Sequence, residues 1–163
     1  MKKNKKIVVV SGGFDPIHIG HIRLFKEAKK LGDELVVVLN NDNWLKKKKG
    51  IVFMPQKERK ELIGALAAVD KIVLTSHLPN PEDMSVCQEL KKLRPSVFAQ
   101  GGDRNKKTTP SAEFSVCQEI NCRMVFGVGR GGKIQSSSWL LAKYAIELPR
   151  HCGSRKYKSC HGA

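Results

Sequence analysis

The stretch SGGFDPIHIGHIRLF, residues 11–25, decides the fold and names the chemistry to look for. Directly before it runs IVVV (residues 7–10), an uninterrupted aliphatic segment that reads as a strand covered on both faces. Directly after it, Ile22, Phe25, Ala28 and Leu31 recur at helical spacing, so the stretch is a strand-to-helix turn. Gly12 and Gly13 permit a sharp turn at the strand's end. Gly20 has no side chain and leaves the first helical turn open, where unpaired backbone N–H groups and the helix dipole favour an anion. His18 and His21 flank that opening, and each can offer an N–H to a phosphate oxygen. One histidine there would read as a helix cap or a surface residue. Two of them around a glycine, after a Gly-Gly turn and a strand, point to anion binding.

Working outward, further apolar, β-branched runs occur at 35–40, 71–76, 96–100 and 123–128. Segments of helical period occupy 20–31, 56–68, 81–93, 110–120 and 136–147. Helix-start signals stand at Pro81 with Glu82 and Asp83, at Pro110 with Ser111, and at serines 136–138. Strand and helix alternate five times, and the strands are apolar throughout instead of alternating. This predicts an α/β fold of the Rossmann-like α/β/α sandwich type, with a five-stranded parallel sheet in residues 1–148 and a basic, flexible tail over 149–163. In such sheets ligands bind beyond the carboxyl ends of the strands, where the paired histidines stand.

The 163 residues carry a net charge of +15, but the charge is unevenly placed. Lysines 2, 3, 5 and 6, lysines 46–49, and Arg150, Arg155, Lys156 and Lys158 account for 12 of the 30 basic residues. The remainder is close to balanced, so the terminal clusters read as solvated arms and not as readers of nucleic acid. The five cysteines, at 87, 117, 122, 152 and 160, form no CxxC pair and read as free thiols; no metal site is expected among them. No run approaches the length of a membrane span, and the N-terminal lysines lead into a strand instead of a signal peptide's apolar core. The expectation is a cytoplasmic protein without membrane contact.

The segment GGFDPIHIGH, which includes Phe14 and Asp15, resembles the GxFDxxHxGH signature of the HxGH nucleotidyltransferases, the cytidylyltransferase-like superfamily. LGDELVVVLNND, LKKKKG, PQKERKELIGALAAVD, QGGD and GRGGKIQSS follow in the family's order, spanning about residues 7–141. The middle of the chain is most similar to the heptose-phosphate adenylyltransferase domain of ADP-heptose synthesis, then to glycerol-3-phosphate cytidylyltransferase. Archaeal-type FAD synthetases are a further relative. Class I aminoacyl-tRNA synthetases share the HIGH tetrapeptide but need far more chain than this.

The resemblance implies in-line transfer of a nucleoside monophosphate from ATP or CTP to a small phosphorylated sugar or alcohol, with pyrophosphate leaving. Mg2+ is the implied cofactor, with Asp15 acting through its water shell. His18, His21, Lys46 and Arg130 would be catalytic, holding and neutralising the triphosphate. Gly12, Gly13, Phe14, Asp15, Gly20, Lys49 and Arg59 would bind nucleotide, together with Gly101, Gly102 and Asp103 around base and ribose and Ser136 and Ser137 at the last helix. Lys133 stands where relatives carry glycine and Gln135 where they carry serine, and Lys133 can offset the change by meeting phosphate. Homodimers are common among such relatives. Two classes stay open: an active nucleotidyltransferase, or a nucleotide- or RNA-binding module that has lost transfer.

Overall fold

The computed structural model describes residues 5–102, 104–105, 107–129 and 135–147. Asp103, Arg130, Lys133 and the 149–163 tail therefore lie outside the described residues. The element order is β1 (Ile7–Gly12), α1 (Ile19–Lys29), β2 (Glu34–Leu39), α2 (Asp42–Lys49), α3 (Gln56–Gly64), β3 (Lys71–Leu74), α4 (Cys87–Leu93), β4 (Val97–Gly101), α5 (Ser111–Glu119), β5 (Arg123–Val128) and α6 (Ser137–Glu147). The five strands form one sheet in the order β3-β2-β1-β4-β5, and every pairing is parallel. This is the Rossmann-like sheet that the alternating runs predict.

The apolar runs of β1, β2 and β4 are buried on both faces for the reason expected, while the edge strands β3 and β5 are part-buried. Val8, Val10, Leu35, Val37 and Leu39 pack on one face with Phe25 and Ala28 of α1 and Ile63 of α3. Val9, Val36, Val38 and Phe98 pack on the other with Leu90 of α4 and with Val116 and Cys117 of α5. Alternate residues of β1 thus enter different cores, and neither can be polar without burying an unpaired group. Among the described cysteines, 87, 117 and 122 are free thiols, and the last two are buried.

Two elements differ from the sequence expectation. Lysines 46–49 lie in a helix, α2, outside the segments of helical period read from the sequence. Asn41 caps that helix by accepting from the Trp44 N–H at 3.0 Å, Gly50 ends it with φ of 79°, and the four lysines occupy its last turn, where the dipole favours cations. Conversely, Pro81-Glu82-Asp83 starts no helix. The Asp83 carboxylate accepts from the Ser85 N–H, closing a local turn that competes with a helical start, and α4 begins only at Cys87.

The chain goes from β1 outward to β2 and β3, then returns to add β4 and β5 on the other side of β1. The crevice between the carboxyl ends of β1 and β4 is the switch point of the sheet. The α1 N-terminus opens onto it.

Candidate active site

At the end of β1 the left-handed residue is Phe14, with φ of 48°; neither Gly12 nor Gly13 has positive φ. Those glycines serve close approach instead. A Cβ on Gly12 would come within 2.9 Å of the Phe14 ring, and one on Gly13 within 2.6 Å of the Leu45 side chain. Phe14 folds back under the turn, edge-on to Phe25 at 5.1 Å and to His21 at 4.9 Å between ring centroids. The side chain that makes the turn therefore also supports the second histidine from below.

His18 is the N-cap of α1, and its Nδ1 accepts from the Gly20 N–H at 3.1 Å. His21 reaches back so that its Nδ1 accepts from the His18 N–H at 3.3 Å. The two rings stack with centroids 3.7 Å apart. Capping and site geometry are one arrangement: each Nδ1 is an acceptor, so it carries no proton, and the proton of each neutral ring sits on Nε2. Burial, then the neighbouring Lys49 ammonium, lowers the His18 pKa. Burial, then His18 and Lys49, lowers His21 to about 3. Both rings are neutral Nε2–H donors at pH 7. Gly20 makes this possible, since a Cβ there would meet the His18 Nδ1 and Cε1 at 3.0 Å.

Asp15 and Arg59 take roles other than the expected ones. Asp15 is buried, and its two carboxylate oxygens accept from the backbone N–H groups of Phe53 and Met54 at 2.8 and 2.7 Å. It pins the loop after α2 to the turn and does not line the pocket. Arg59, expected at a phosphate, has a side chain with 0% exposure. It donates to the carbonyls of Gly13 (2.6 Å), Asn40 (2.8 Å) and Met54 (2.9 Å) and to Asp42 (2.6 Å). Arg59 thus ties the ends of β1 and β2 together beneath the site, with no side-chain surface exposed. Nothing in KERKELIGAL announces this, because three of its four partners are main-chain oxygens brought in by the fold.

The lysine run divides by helical geometry. Lys46 is exposed and lines no part of the pocket, whereas Lys48, one turn beyond Trp44, and Lys49 do line it. Lys49 donates to the Asp15 carbonyl at 2.7 Å. Burial lowers its pKa, partly opposed by Asp15 and reinforced by Arg59. The structure thus brings Lys49 to the histidines and leaves Lys46 in solvent; Lys48 is the residue that sequence reasoning passed over.

The pocket has a volume of about 340 Å³, and Gly12, Gly13, Phe14, His18, Gly20 and His21 form its wall at the β1–α1 corner. Gly101 and Gly102 line it from β4, Gly129 follows β5, and Gln135, Ser136 and Ser137 close it at the start of α6. Gly101 has Leu24 of α1 where a Cβ would stand, at 2.8 Å, and Gly102 has φ of 64°. Ser137 Oγ donates to the Pro16 carbonyl at 2.9 Å, fastening the α6 N-terminus to the histidine loop. Arg23, Trp44, Gln100 and Arg104 also line the pocket and were not anticipated. The arginines add positive charge to a site read as anionic-ligand binding.

The donor set does not fit a metal held by the protein. No group of three or more His, Cys, Asp or Glu suited to a metal occurs among the described residues, and no described carboxylate lines the pocket. A Mg2+ ion here would be carried by phosphate oxygens and water.

Residues 9–122 match the family model described as Cytidylyltransferase-like. The FAD synthase of Thermococcus sibiricus is 38% identical over 127 residues, covering 77% of this chain and 82% of that protein. The FAD synthase of Pyrococcus abyssi is 41% identical over 107 residues, covering 64% and 69%. The bifunctional protein HldE of Nitratiruptor is 33% identical over 116 residues, covering 70% of this chain but 24% of that protein. Among solved structures, the lipopolysaccharide core biosynthesis protein of Thermoplasma volcanium superposes with a TM-score of 0.65 at 28% identity, covering 78% of this chain and 99% of that one. No described helix is long and apolar enough to cross a membrane. The signature, the sheet order and these matches agree, and the chain belongs to the cytidylyltransferase-like family of nucleotidyltransferases.

Proposed function

We propose that this protein transfers the AMP group of ATP to the phosphate of FMN, forming FAD and pyrophosphate. The observation that carries the transfer reaction is the stacked pair His18–His21, two neutral imidazoles with Nε2–H groups available at a helix N-terminus inside the pocket. An oxygen of the acceptor phosphate attacks the α-phosphorus, and the bond from that phosphorus to the bridging oxygen of the pyrophosphate breaks. The acceptor is already ionised, so no general base is needed; the protein's work is positioning and stabilising charge as it gathers on the leaving oxygens. His18 and His21 donate to those oxygens, Lys49 adds a cation beside them, and the Ser136 hydroxyl and Ser137 main-chain N–H present donors at the α6 N-terminus. Mg2+ travels with the triphosphate.

FMN stands first among acceptors because FAD synthases match over most of their own length, 82% in one case. The sequence alone favours heptose phosphate, and that second reading keeps one support in the HldE match over 70% of this chain. The test is a pyrophosphate-release assay crossing ATP and CTP with FMN, heptose 1-phosphate and glycerol 3-phosphate, with FAD followed by chromatography. FAD formed from ATP and FMN is the expected result. Turnover of the sugar phosphate alone would replace the reading with the second one. RNA binding without pyrophosphate release from any pair would leave a binding module.

A further inference from the structure

The pocket has two sides about the histidines. One is built from β4, β5 and the start of α6; the other is built from the β1 turn and α2, which follows β2 on the opposite flank of the sheet. In-line displacement requires the acceptor and the departing pyrophosphate to approach the α-phosphorus from opposite directions. With ATP along the β4–α6 side, the acceptor enters from the α2 side.

What the α2 side presents is chemically narrow. Among the described residues its free cation is Lys48, with Lys49 beside the histidines, and its wall is the edge of the Trp44 indole, a residue 9% exposed, whose Cζ3 would lie 3.5 Å from a Cβ placed on Gly13. The indole is held rigidly, with Nε1 donating to the Met84 carbonyl at 2.9 Å and the Trp44 N–H donating to Asn41 at 3.0 Å. Four polar side chains nearby are committed elsewhere, while the buried Asn40 Oδ1 at the end of β2 has no partner among the described residues. Asn41 and Asn43 both donate to the His77 carbonyl, Asp15 accepts from Phe53 and Met54, and Arg59 is held by carbonyls and Asp42. A polyhydroxylated sugar brought here would surrender the water around its hydroxyls to an aromatic edge and two lysines. A site discriminates strongly through hydroxyls only where it has hydrogen-bonding groups to meet them. An acceptor with a phosphate at one end and a flat, apolar-faced group behind it loses nothing.

We propose that Trp44 and Lys48 form the acceptor subsite, with Lys48 meeting the acceptor phosphate and the indole selecting a phosphate ester that carries a flat aromatic group over a sugar or glycerol phosphate. This rests on the reading that ATP occupies the β4–α6 side of the histidines. Trp44 is the specificity residue, and Lys48 does what the sequence assigned to Lys46.

The experiment compares the full chain with its Trp44→Phe, Trp44→Leu and Lys48→Ala variants, using FMN as the acceptor probe. Calorimetry reads FMN binding to protein saturated with a non-hydrolysable ATP analogue, and steady-state kinetics read KM for each substrate. The expected result is a rise of roughly tenfold in FMN Kd and KM for Trp44→Leu, as for loss of an aromatic contact. Trp44→Phe falls between that variant and the parent, Lys48→Ala raises FMN KM, and KM for ATP stays within about twofold. Lys48 is exposed, so its variant folds even if the Trp44 changes do not. Equal rises for both substrates, no rise for either, or glycerol 3-phosphate used as well as FMN would overturn the subsite. Absence of pyrophosphate from every acceptor would overturn transfer separately, because FMN binding weakened by Trp44→Leu would still support the subsite and undetectable FMN binding would overturn it.

Discussion

His18 and His21 are tied to one another: the His21 Nδ1 accepts from the His18 main-chain N–H at 3.3 Å while the rings stack at 3.7 Å, so protonating the His21 Nδ1 breaks the bond that sets the two rings together. The arrangement gives the site two hydrogen-bond donors aimed by the backbone, without two mutually repelling cations. The first prediction is that Ala at either position lowers kcat by about a hundredfold or more while the fold persists, the size of loss seen when a preorganised donor to developing charge is removed. Stopped pyrophosphate assays on folded variants check it, and near-normal kcat in both would remove the pair from the mechanism.

The pH dependence of stability follows from the burial of His21 beside His18 and Lys49. The folded His21 has its pKa lowered from 6.5 to about 3. Above 6.5 the folded and unfolded chains are both neutral there; as pH falls through that value the unfolded chain takes up a proton that the folded one refuses. Stability therefore declines toward acid across this window, by up to about 1.4 kcal/mol per pH unit from this group. His21→Asn, whose Oδ1 can accept in place of Nδ1, should flatten the decline. Thermal melts between pH 7 and pH 4 measure it, and equal slopes in parent and variant would count against the burial of this imidazole.

Gly20→Ala should separate activity from stability. The methyl group would lie 3.0 Å from the His18 ring and push it off its cap, while alanine improves the helix. Melting temperature should change little, because these effects oppose each other at about 1 kcal/mol each. Activity should fall by roughly tenfold to a hundredfold, since a displaced donor no longer meets the reacting oxygens. Kinetics beside calorimetric melts decide the matter.

Lys46 and Lys49 should behave oppositely despite their shared motif. Lys46→Ala should leave kcat/KM within about twofold of the parent, as for an exposed side chain away from any special contact. Lys49→Met should lower it by about tenfold or more by removing a cation beside the histidines. A larger effect at Lys46 would mean that α2 is rotated from the orientation described here.

Arg59→Met should unfold the protein more readily and leave nucleotide affinity of the folded fraction unchanged. The substitution strands Asp42 and the carbonyls of Gly13, Asn40 and Met54, and removal of one member of such a buried set costs about 3–5 kcal/mol. Urea melts and ATP-analogue titration below the transition test the two halves. Weakened nucleotide binding with normal stability would restore the phosphate-binding reading of this residue.

The sheet was legible in the sequence because its evidence is local. IVVV, LVVVLN and the later apolar runs can be buried only on both faces, and the intervening helical periods require parallel crossovers. The geometry of the histidine corner was legible because strand, turn, paired histidines and helix start are contiguous. Helix α2 was hidden by its charge: KKKK reads as a solvated loop unless the Asn41 cap and the Gly50 stop are weighed together. The contacts of Arg59 and Asp15 are not legible in the sequence because most of their partners are main-chain atoms, as far as 46 residues away for Arg59 and 38 or 39 for Asp15, which carry no side-chain signature. Phe14 shows the same limit, since its left-handed backbone stands beside two glycines that would have been the natural choice.

The most direct test of the account is a nitrogen-15 NMR measurement of the His18 and His21 ring nitrogens at pH 7, with and without a non-hydrolysable ATP analogue. The account predicts both rings neutral and protonated on Nε2, with both Nε2 resonances shifting as nucleotide saturates. Imidazolium rings, Nδ1-protonated tautomers, or Nε2 resonances indifferent to saturating nucleotide would contradict it.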